Sequence, residues 1–165
     1  MKHLRWIIPV VCVVSTLLTL FSCLALPSNI VSGYRRSVYY GKLPEGWFDK
    51  DEHFDTDGIQ DFTHYCKYFY ASPDAVFADE RYLPVSEVGA DNVRGYFENF
   101  REWMETVDRL DEYDFSEAQI TPDDRVYIIN RYADEGTQWF YADYDVFLFD
   151  TETRTLYYIH FMANR

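Results

Sequence analysis

The residues closest to a known chemistry lie in His53-Phe54-Asp55-Thr56-Asp57-Gly58. Asp55, Asp57 and Gly58 match positions 3, 5 and 6 of a calcium-binding EF-hand loop, and Asp49, Asp51, Glu52 and Asp61 could supply further oxygens. The ends of the loop break the pattern. His53 stands where an Asp is needed and His64 where a bidentate Glu must close the shell, and imidazole nitrogen is a poor ligand for so hard a cation. A solvated acidic loop is the expectation. His53 and His64 could join Asp57 or Asp61 in a zinc or acid–base site, but the spacing is not HExxH and no third ligand is defined. His160 follows Tyr158 and precedes Phe161 in an aromatic run, which predicts a hydrogen-bonded core or rim histidine. GxSxG, CxxC and a Gly-rich phosphate loop are all missing. The sequence therefore singles out no catalytic residue, no cofactor-binding residue and no metal ligand.

The elements that would position such residues are easier to read. Val93, Tyr96, Phe97, Phe100, Trp103, Met104 and Val107 recur at helical spacing, with Asp91 as a candidate N-cap and Arg94, Glu98, Arg101, Glu102 and Glu105 on the opposite face. This stripe is predicted to pack on a sheet formed by the last three strands. Ile59, Phe62, Cys66, Phe69 and Tyr70 suggest a second helix over 58–71, capped by Asp57 and stopped by Pro73. After Pro122 the pattern turns to β-rich runs at Arg125–Tyr132, Gln138–Phe149 and Thr155–Met162, with a hairpin turn at 150–154. Helices segregated from strands predict an α+β domain: two helices packed on a C-terminal antiparallel sheet of three to four strands. Residues 58–165 are assigned to it. Residues 27–57, with a short strand at Ser37–Tyr40, read as a tether and turn-rich acidic stretch.

Residues 6–26 carry no charge and, as a helix, would span about 31 Å, the thickness of a bilayer's hydrocarbon core. Pro9 and Pro27 mark its ends, and Lys2 and Arg5 form a basic leader over 1–5. Three fates fit: a retained single-pass anchor, which the length favours; cleavage after Ala25; or lipidation of Cys23 in the lipobox-like Leu20-Phe21-Ser22-Cys23. Arg35, Arg36 and Lys42 nearly balance the leader in the positive-inside count. The short leader favours the N-terminus inside and the domain outside the cytoplasm.

Beyond the apolar run stand 13 basic against 28 acidic residues. Such a domain repels phosphate backbones and anionic lipid headgroups, which excludes nucleic acid and favours a basic protein patch, a cationic peptide or a metal. Cys66, the one cysteine outside the apolar run, can form no disulfide within the domain. Gly95-Tyr96-Phe97-Glu98-Asn99-Phe100 and Thr155-Leu156-Tyr157-Tyr158-Ile159-His160 resemble small membrane-anchored bacterial proteins of uncharacterised function, over residues 57–162. The resemblance implies a bacterial cell-surface setting and carries no activity. The expectation is a non-catalytic interaction domain that engages the membrane through its N-terminal helix and meets another membrane or envelope protein. An envelope hydrolase using acidic residues and a cation- or ligand-sensing domain are the alternatives.

Overall fold

The computed structural model describes residues 42–55, 63–133 and 141–162. The apolar run 6–26, the strand expected at 37–40, and Asp57, Gly58 and Asp61 lie outside the described residues. Among those described, no helix is long and apolar enough to cross a membrane. The chain divides into two units, Met1–Leu43 and Pro44–Arg165, and all but two of the described residues belong to the second.

That second unit is α+β. Its strands are β1 (Trp47–Asp55), β2 (His64–Tyr70), β3 (Leu83–Pro84), β4 (Arg125–Asn130), β5 (Asp143–Asp150) and β6 (Thr155–Met162). They form one antiparallel sheet in the order β1-β2-β6-β5-β4-β3. Between β2 and β4 the chain makes two short helices, α1 (Asp74–Ala78) and α2 (Val85–Val88), and one long one, α3 (Ala90–Thr106).

Two corrections follow for the first half of the domain. The described part of the helix expected over 58–71 is not helical: His64–Tyr70 is a strand, held between β1 and β6. An interior strand covered on both faces has no reason to alternate, and Cys66, Phe69 and Tyr70 of β2 happen to fall at helical intervals of three and four. Its aromatic density is the better guide, since Tyr and Phe favour the pleated surface. Trp47–Asp55, taken as part of a turn-rich stretch, is the edge strand β1. Its charges and two register shifts are common ways of blunting an exposed sheet edge. The sheet thus has six strands where three to four were expected, and one long helix where two were.

The C-terminal half follows the pattern closely. β6 has the predicted bounds, β4 ends at Asn130, and β5 begins at Asp143. In the β5–β6 turn, Asp150 Oδ1 accepts the backbone N–H groups of Glu152 (2.9 Å) and Thr153 (3.0 Å). The buried Asp124 clamps this turn to the start of β4 by accepting from Thr121 N (2.7 Å) and Thr151 N (3.0 Å).

α3 lays Val93, Tyr96, Phe97, Phe100 and Met104 against Tyr65, Val126, Tyr144, Val146, Leu148, Ile159 and Phe161. Asp91 does not cap it. The helix begins after Gly89 at φ 94°, a left-handed conformation that glycine adopts without penalty, and Asp91 pairs with Arg94 instead. Trp103 sits at the rim, half-buried, with its ring 5.8 Å from Phe161. Trp103→Ala is accordingly expected to cost about 1–2 kcal/mol, less than truncating a fully buried aromatic. Equal urea midpoints for Trp103→Ala and Phe100→Ala would contradict this placement.

Candidate functional site

Alternation along β2, β4, β5 and β6 gives the sheet two distinct faces. The face toward α3 is the aromatic core just described. The far face carries His64, Cys66, Tyr68 and Tyr70 from β2, Leu156, Tyr158 and His160 from β6, Asp145, Phe147 and Phe149 from β5, and Arg125 and Tyr127 from β4. α1 and Tyr82 pack on part of it, with Tyr70 and Phe77 edge-on to Phe149 and Tyr82 against Tyr127 and Phe147.

At the other end of that face the register builds a polar centre on Asp145. Asp145 stands directly opposite His160 on β6, and His160 directly opposite His64 on β2. The carboxylate is wholly buried. Its Oδ1 accepts the Tyr158 hydroxyl at 2.9 Å and lies 2.9 Å from His160 Nδ1, while its Oδ2 accepts from Arg131 Nη2 at 2.6 Å. Arg131 Nη1 donates to Asp143 at 2.5 Å. Burial opposes the guanidinium charge, but Asp145 and then Asp143 outweigh it and raise the pKa of Arg131. On the β2 side, His64 is buried, with its Nδ1 3.8 Å from Glu52 and its ring 5.4 Å from Tyr158.

Of the candidate metal residues, the described His53 and His64 are not brought together. His53 packs on Tyr65, on the α3 side, with its Nε2 2.9 Å from Asp51. His64, the next residue before Tyr65, points to the far face. Strand alternation therefore separates the two imidazoles by the thickness of the sheet. Among the described residues, no three His, Cys, Asp or Glu side chains could hold a metal ion together. Zinc or calcium at about 1 mM should leave the thermal midpoint of the full chain unchanged, whereas a ligand at a hundred times its dissociation constant would add about 2.7 kcal/mol. A rise of several degrees would revive the metal site. Cys66 is fully buried, and burial pushes its thiol up to about 12, far from the thiolate that redox or nucleophilic work requires.

On the α3 side, Asp114 joins β2 to the segment after the helix. It accepts Tyr65 Oη at 2.6 Å and Lys67 Nζ at 2.6 Å. Burial works against its charge, but the Lys67 and Tyr65 hydrogen bonds prevail and lower its pKa.

The surface around α3 is different in kind. Glu98, Glu102, Glu105, Asp108 and Asp111 are exposed, and of these Glu102 adds, behind Glu117, to the field that raises the pKa of Arg101. The nearby arginines are already committed: Arg94 to Asp91, Arg101 to Glu117, Arg109 to Glu112. The last turn of α3 contains no basic residue, so carboxylates crowd the negative end of the helix dipole. Val107 and Leu110, 40% and 39% exposed, lie among them.

No known protein family, no curated protein and no solved structure matches this chain. Its chemistry must be read from its own side chains. The Asp145 centre was missed in the sequence because its members are 13 to 15 residues apart and meet only through the β4–β5–β6 register. The signal available was an Asp and a His placed symmetrically about a predicted hairpin turn.

Proposed function

We propose that the chain is a membrane-anchored extracytoplasmic interaction domain whose partner presents a basic surface with an apolar centre. The observation that carries this is the exposed end of α3 and the residues after it, where Glu102, Glu105, Asp108 and Asp111 stand with Val107 and Leu110 while Arg101 and Arg109 are held by Glu117 and Glu112. Acidic groups at a helix C-terminus oppose the dipole, and the last turn of α3 has no basic residue to offset them. A partner's Lys or Arg would relieve that repulsion while Val107 and Leu110 leave water. The uncharged run 6–26 and its basic leader support the anchor and the outward orientation.

A photocrosslinker at Leu110 of the full chain, activated in intact cells, should yield one discrete adduct with a basic protein. Glu102→Gln, Glu105→Gln and Asp108→Asn together should abolish it with the melting point unchanged. Protease added to intact cells, once any outer barrier is opened, should digest the domain. An adduct indifferent to the triple substitution would overturn the acidic docking face, and full protection from protease would overturn the orientation.

A further inference from the structure

We draw no further inference here: the strongest candidate, the buried side-chain cluster of Asp145, Tyr158 and His160 on the far face of the sheet, has its carboxylate already taken up by Tyr158, His160 and Arg131, and nothing in the structure points to a ligand for it.

Discussion

Raising the pH from about 9 to about 11 is expected to unfold the domain in one cooperative step, because its interior holds phenols that cannot ionise where they are. Burial raises the pKa of Tyr65, Tyr70, Tyr82, Tyr113 and Tyr144. Neighbouring carboxylates add to it: Asp114, which accepts the Tyr65 hydrogen bond, Asp79 near Tyr70 and Glu117 near Tyr113. In the unfolded chain each phenol titrates near 10. A folded-state pKa raised above the unfolded one gives stability that is complete below the unfolded value and lost as pH rises beyond it. Each such proton contributes about 1.4 kcal/mol per pH unit, so five amount to about 7 kcal/mol per unit once the unfolded chain is ionised. That rivals the roughly 5–15 kcal/mol total stability of an ordinary domain. Cys66, pushed up to about 12, acts in the same direction. Tyrosinate absorbance and far-UV circular dichroism should change together. A smooth tyrosine titration centred near 10 with the dichroism intact would mean that these rings are not sealed in the core.

How much of this was visible in the residues depends on which face each element covers. α3 and β6 were legible because α3 has one buried stripe and β6 is a solid run of β-favouring side chains beside a turn. β2 was not, since an interior strand with both faces covered shows no period of two, and its residues imitated a helix. β1 was hidden for the opposite reason: an edge strand rich in exposed charge looks like a loop. β5 and β6 are buried along nearly their whole length as well, and were legible from composition rather than from alternation.

The polar centres were less legible still. His160 was expected as a hydrogen-bonded core or rim histidine, and it is buried 2.9 Å from Asp145. Its partner could not be chosen from 28 acids without the register, which alone decides that Asp145 rather than Asp143 or Asp150 faces it.

Asp145→Ala should lower the domain's stability by about 3 kcal/mol, the lower end of what breaking a buried ion pair costs. The substitution leaves three groups without their acceptor: the Tyr158 hydroxyl, His160 Nδ1 and Arg131 Nη2. Tyr158 is fully buried and cannot turn to water, so its lost hydrogen bond is felt in full. Arg131 moderates the loss, because its side chain is 34% exposed and keeps Asp143 as a partner. Asp145→Asn separates the contributions: the amide oxygen can still accept from Tyr158 while the charge that holds Arg131 is gone, so a smaller loss is expected. Replacing Arg131 by Met in the Asp145→Ala background should then cost less than in the unchanged chain, since only its contact with Asp143 is left to lose. Urea unfolding of these three variants and of Arg131→Met alone measures all of this. Additive losses from Arg131 and Asp145 would show that the pair contributes through separate contacts, and an unchanged midpoint for Asp145→Ala would show that the carboxylate does not organise the far face of the sheet.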